Sequence, residues 1–161
     1  MARNTVDFKV YKGMGGKGYG AAQFSLSPAR QEGEATEAGA VFMDITSPSA
    51  PNVYDWNQKI KMALGITDLG QILHFLRYGT NQKGEDLSIF HDPGAKSETA
   101  GQTGKSFVMS SPGGIKEGFM LTVSQKTGDK TVTHRVPFNG AEAATLSQLV
   151  QAAISRVLGW T

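Results

Sequence analysis

The chain has 161 residues, 39% hydrophobic, 19% charged and 9% aromatic, a composition that excludes disordered and fibrous classes and fits one domain (residues 1–161) around one core. A formal net charge of +2 says little about partners, so any polyanion-binding face has to come from local clustering. The absence of cysteine excludes disulfides, thiolate metal sites and cysteine nucleophiles, and is compatible with a reducing compartment.

In chain order, residues 1–31 hold Arg3, Lys9, Lys12, Lys17 and Arg30 against Asp7 alone, whereas Glu32, Glu34, Glu37 and Asp44 follow. The first strand is expected over Val6–Tyr11, with no apolar signal core, no transit-like segment and no run of membrane-spanning length. A cytoplasmic or nucleoid-associated protein is the expectation. Gln23–Ser27 alternates with period two, and Ala40–Ile45 and Val53–Met62 complete a first block of strands.

A helix follows, with Thr67 as N-cap, Asp68 at the positive end of the dipole, an apolar stripe of Ile66, Leu69, Ile72, Leu73 and Leu76, and Gly79 as its stop. The second block is Leu87–His91, Phe107–Ser110, Phe119–Val123 and Thr131–Val136. The last helix spans residues 140–158: Asn139 and Glu142 form a capping box, Leu146, Leu149, Val150, Ala153, Ile154, Val157 and Leu158 make one stripe, and Gly159 is the C′ residue. Four strands, a helix, four strands and a helix make an α+β fold of antiparallel sheets.

The motifs that resemble nucleotide sites fail on context. Gly13–Gly18 satisfies G-x-G-x-x-G, but an alternating strand follows where a phosphate-binding helix must open. Gly104-Lys105-Ser106 ends like a P-loop, yet Thr99 stands where the first glycine belongs and a strand follows. His74, His91 and His134 lack metal-ligand spacing, and no nucleophile-base or paired-carboxylate arrangement stands out. No catalytic residue, metal or cofactor is expected, and the protein is read as a non-enzyme.

Residues 9–24 interleave Lys9, Lys12 and Lys17 with Tyr11, Tyr19 and Phe24 among five glycines. Cations track phosphates, aromatic faces stack on bases, and glycines allow close backbone approach, so this chemistry suits single-stranded nucleic acid. The alternative is a glycine hairpin whose aromatics belong to the core. Farther on, Lys59 and Lys61 share one strand face while Trp56, Ile60 and Met62 share the other, which makes the lysines phosphate contacts. Lys105 joins this set, and Phe90 joins the stacking residues.

Val53-Tyr-Asp-Trp-Asn-Gln-Lys59, Leu64–Leu73, Phe90-His-Asp-Pro93 with Gly94, Lys96 and Ser97, and the end from Val136-Pro137 to Leu158-Gly159-Trp160 resemble the Whirly family, in order and spacing, from about Val6 to Trp160. The resemblance implies two four-stranded antiparallel sheets packed crosswise, helices at the subunit core and tetramer interface, and single-stranded DNA along sheet edges between subunits. The family's Lys-Gly-Lys-Ala-Ala-Leu motif would fall on Tyr19–Phe24, where both lysines are lost; Lys12 and Lys17 are then the substitutes. Trp160 is expected to pack the last helix down. Lack of the family's organelle address fits a bacterial or phage origin, or a chain trimmed of that address. RNA binding on the same fold, and a transcription-associated protein-interaction module docking on the acidic loop around Glu32–Glu37, are the alternatives.

Overall fold

A computed structural model describes residues 6–12, 19–92 and 103–160 of the chain. Lys17 and most of the glycine stretch lie outside the described residues, as do Pro93, Gly94, Lys96 and Ser97. The first block runs β1 (Phe8–Tyr11), β2 (Ala21–Ser27), β3 (Arg30–Glu32), β4 (Ala35–Glu37), β5 (Ala40–Thr46), β6 (Pro48–Ala50), β7 (Val53–Tyr54) and β8 (Ile60–Leu64). Helix α1 (Ile66–Tyr78) leads to β9 (Leu87–His91), β10 (Thr103–Ser110), β11 (Phe119–Thr127) and β12 (Lys130–Phe138), and α2 (Gly140–Leu158) closes the fold.

Two four-stranded antiparallel sheets result, in the orders β1-β2-β5-β8 and β12-β11-β10-β9. Their registers follow from the alternation, because a slip of one residue would turn every apolar side chain outward. Val10, Ala22, Ile45 and Ile60 face one another across the first sheet, as do Leu87, Met109, Leu121 and Val136 across the second, and all eight are buried. Leu69, Ile72, Phe75 and Leu76 of α1, with Ala143, Leu146, Val150, Ala153 and Val157 of α2, complete the core. The Phe119 and Phe138 rings stack at 4.6 Å and Phe75 meets Phe119 edge-on at 5.9 Å; burial of each such side chain contributes about 1.5–3 kcal/mol.

Helix α2 starts and stops as expected: the Glu142 N–H donates to Asn139 at 2.8 Å, the Asn139 N–H donates to Glu142 at 2.9 Å, and Gly159 is left-handed at φ 76°. Helix α1 starts earlier than Thr67. Gly65 holds the N-cap position, and because it has no side chain, Asp68 reaches back to accept its N–H at 3.2 Å. Gly79 ends α1 at φ 79°.

Val53–Met62 is not one strand. Asp55 accepts the Asn57 N–H at 3.0 Å and winds Trp56–Gln58 into a 3₁₀ turn, so the long strand begins only at Ile60. The acidic stretch forms a small hairpin, β3 with β4, in place of a loop. Its base is tied to the end of α2 through Ala29 N–H to Arg156 O and Gly39 N–H to Val157 O, both 2.9 Å. Trp160 is 75% exposed; the chain has already left the helix at Gly159, so the indole does not pack it down.

Gly20 and His134 are among the residues that bring the sheets together. At Gly20 a Cβ would overlap the Thr46 carbonyl and lie 2.9 Å from the Arg135 carbonyl, so backbone of both sheets occupies the space of a side chain. His134, buried on the inner face, lies 2.8 Å from the Gln58 carbonyl through Nε2 and 2.6 Å from Ser47 Oγ through Nδ1. A carbonyl only accepts, so Nε2 carries a proton.

Candidate nucleic-acid interface

Pairing sets one row of side chains across the outer face of the first sheet: Lys9, Gln23, Asp44 and Lys61. Three interstrand steps separate its ends, roughly 14 Å. Gln23 Nε2 donates to Asp44 Oδ2 at 2.8 Å, and the carboxylate is only 7% exposed. Lys9 and Lys61 are exposed at the two margins, with Lys61 Nζ 5.4 Å from the centre of the Phe42 ring.

At the β1 margin Tyr11 is 51% exposed and its ring leans on Tyr54 at 5.3 Å, while Tyr19 is 39% exposed. These tyrosines offer faces to solvent beside Lys9. Two other residues expected here are differently employed. Phe24 points inward and is buried, paired across β1 with Phe8 and set edge-on to Phe138, because its position in the alternation matches Ala22. Its ring belongs to the core, not to a stacking surface. Lys12 Nζ lies 2.7 Å from Glu142 Oε1, both side chains 25% exposed, so its charge ties the end of β1 to the first turn of α2.

The β8 margin meets the second sheet at two places: His134 of β12 holds the Gln58 carbonyl and Lys105 of β10 holds the Lys61 carbonyl. Lys59 is exposed, but as the C-cap of the 3₁₀ turn, not as a strand residue. Lys105 has inward parity on β10, opposite His91, and its ammonium donates to the Lys61 carbonyl at 2.6 Å, bridging the two sheets. His91 Nε2 lies 2.9 Å from Asp68 Oδ2 at the start of α1. One position away, Phe90 turns outward and is 63% exposed. Lys59 and Lys61 therefore stand at the β8 margin, where the Lys105 ammonium is held by a backbone carbonyl, Phe90 stands on the outer face of β9, and Lys9, Tyr11 and Tyr19 stand at the β1 margin.

The outer face of the second sheet is polar and carries its own cations. Ser88, Ser106, Ser124, Thr122 and Thr133 share it with Lys126 and Arg135, and no carboxylate projects from it among the described residues. Ser124 and Thr133 hydroxyls pair at 2.9 Å. Lys126, Arg135 and Tyr54 are candidate contacts absent from the set expected from sequence. The first two were findable, since each sits at outward parity beside a strand's buried residues; Tyr54 was hidden because its segment alternates like a continuous strand.

Hydroxyls, ammonium groups and open aromatic faces on sheet surfaces suit an extended polyanion with exposed bases. The apolar groove of about 300 Å³ lies elsewhere, on the inner side of β1 and β2 against α2, lined by Phe8, Leu26, Leu146, Leu149 and Val150 among others. Among the described residues, Arg156 is the one charged residue in its lining.

The Whirly transcription factor family model matches residues 10–149. The mitochondrial single-stranded DNA-binding protein WHY2 of Arabidopsis thaliana is 31% identical over 127 residues, covering 76% of this chain and 49% of that protein. The chain spans about half the length of the curated relatives it matches. Crystal structures of WHY1 and WHY3 from Arabidopsis thaliana superpose with TM-scores of 0.81 and 0.80 at 20% and 19% identity, covering 99% of this chain and 94% and 92% of theirs. These relatives are named as mitochondrial or chloroplastic, which lends no support to a bacterial or phage origin or to a cytoplasmic address. No described helix is long and apolar enough to cross a membrane.

Proposed function

The chain belongs to the Whirly family, and from that premise we propose that it binds single-stranded DNA with little sequence preference, by phosphate contacts and base stacking and without chemistry, in replication, repair, recombination or transcription. The observation that carries this is the exposure of cations and aromatic rings on the sheet surfaces: Lys59 and Lys61 at β8, and Phe90 on the same face of the second sheet as Lys126. Lys9, Tyr11 and Tyr19 supply the same pairing of cation and aromatic at the other margin, and Lys17 is a further contact on the glycine stretch between them. The relatives' printed names support the choice of ligand.

Fluorescence anisotropy with a labelled oligo-dT of about thirty nucleotides, at two salt concentrations, tests the reading. Binding that weakens with salt and that single-stranded DNA competes better than duplex or RNA is expected. Stronger competition by RNA would transfer the site to RNA, and no binding would end the proposal.

We further propose that the chain assembles as a homotetramer. The support is the family resemblance together with the groove along α2, where Leu149 stays 45% exposed while Leu146, Val150, Ala153 and Val157 of the same stripe are buried. Sedimentation should give four copies for the parent chain and a smaller species for Leu149→Asp; an unchanged mass would remove α2 from the interface.

A further inference from the structure

We infer that Gly104 is a positioning residue for single-strand binding: it is the seat that holds the Phe90 ring where a base can stack on it. The inference rests on the DNA-binding reading above. Phe90 leaves β9 outward opposite Ser106, and Gly104 is its diagonal neighbour on the same face of the sheet. A Cβ at Gly104 would lie 3.0 Å from Phe90 Cζ and 3.3 Å from Cε2, so the far edge of the ring rests over bare backbone. An aromatic ring covering a cross-strand glycine is a stable arrangement at a sheet edge.

Backbone conformation does not require glycine here. Gly104 is absent from the residues with positive φ, and its strand pairing with Lys126 is regular. Space above the backbone is what the missing side chain supplies. The ring is otherwise open, at 63% exposure, so a methyl group at residue 104 would swing it aside without disturbing the core. Strain of this kind falls on ring position and leaves the fold intact. Lys126, directly opposite Gly104 on β11 and exposed, stands beside the seated ring on the same face and places an ammonium where the phosphate next to a stacked base would pass.

The test compares Gly104→Ala, Phe90→Ala and the double variant in anisotropy with the labelled oligo-dT, alongside thermal unfolding. Gly104→Ala is expected to weaken binding about tenfold with an unchanged salt slope, because it removes stacking and leaves the phosphates held as before. Its Tm should stay close to the parent value. In the Phe90→Ala background the same substitution should have no further effect, since the two residues act as one unit. Parent-like affinity, or a full additional loss without the ring, would overturn the seat. A second readout is independent of DNA: a 4-fluorophenylalanine at position 90 should change its ¹⁹F shift on Gly104→Ala. An unchanged shift overturns the inference even if the protein does not bind DNA at all, whereas a changed shift with no binding by the parent chain would sink the functional reading alone.

Discussion

The two margins of the first sheet carry similar residue types and use them differently. At β1 the aromatics are open and the cation is partly committed: Tyr11 and Tyr19 face solvent, while Lys12 is held by Glu142 at 2.7 Å. At β8 the cations are open and one of them covers a ring of the same sheet: Lys59 and Lys61 are exposed, and Lys61 Nζ lies 5.4 Å from the centre of the Phe42 ring. The contrast teaches that a lysine near a glycine-rich aromatic stretch is not thereby a phosphate contact. What counts is whether a carboxylate of the same chain lies within reach, and the capping box of α2 puts one beside Lys12.

The largest effect on DNA binding should come from the β8 margin. Lys59→Ala with Lys61→Ala is expected to weaken oligo-dT binding by at least tenfold at low salt and to reduce the slope of log K against log salt by roughly 0.7 for each phosphate no longer neutralised. A parent-like slope would show that the phosphates pass elsewhere. Next comes Tyr11→Ala, which removes one stacking face. About 1–3 kcal/mol is expected, with the salt slope unchanged; a change of slope instead would mean that Lys9 had been displaced and the margins are not separable in this way.

Lys12→Ala sharpens the comparison from the opposite side. Loss of a partly exposed ion pair costs at most about 1 kcal/mol, so Tm should fall by roughly 2–4 °C while affinity changes less than about threefold. An affinity loss as large as that of the double-lysine variant would erase the distinction between the margins.

The smallest effect is expected at the hairpin of β3 and β4. Glu37 is exposed, and hydrogen bonding with Glu32 and with Arg30, together with the Arg30 charge, holds its carboxyl below the ordinary carboxylate range. A depressed carboxyl stabilises the fold above its unfolded-state pKa, and that contribution disappears as pH falls through the folded value; exposure to solvent makes it small. Glu37→Gln should leave both oligonucleotide affinity and Tm at parent values. Loss of a protein partner with intact DNA binding would favour the acidic hairpin as a docking surface.

Much of this architecture was legible because it is local. The ends of α2 were readable from Asn139, Glu142 and Gly159, whose capping chemistry works within one turn. Strands such as β2, β5, β11 and β12 announce themselves by period two over five or more residues, with an apolar inward set. The segment from Val53 to Lys59 misleads because its 3₁₀ turn depends on Asp55 and on a histidine 76 residues away that grips the Gln58 carbonyl. Phe24 misleads for a similar reason. Alternation says that Phe24 and Ala22 share a face, but not that this face is the buried one when the opposite face carries Ala21, itself fully buried, and Gln23.

By itself the amino-acid order determined the elements, their caps and the presence of cations and aromatic faces suited to a single strand, because propensity, periodicity and side-chain chemistry act over a few residues. Only the tertiary structure decided which of those groups are free. Pairing of Lys12 with Glu142, of Lys105 with the Lys61 carbonyl, and the resting of Phe90 on Gly104 join residues 130, 44 and 14 positions apart, and such long-range pairings are set by sheet register and packing, not by spacing along the chain.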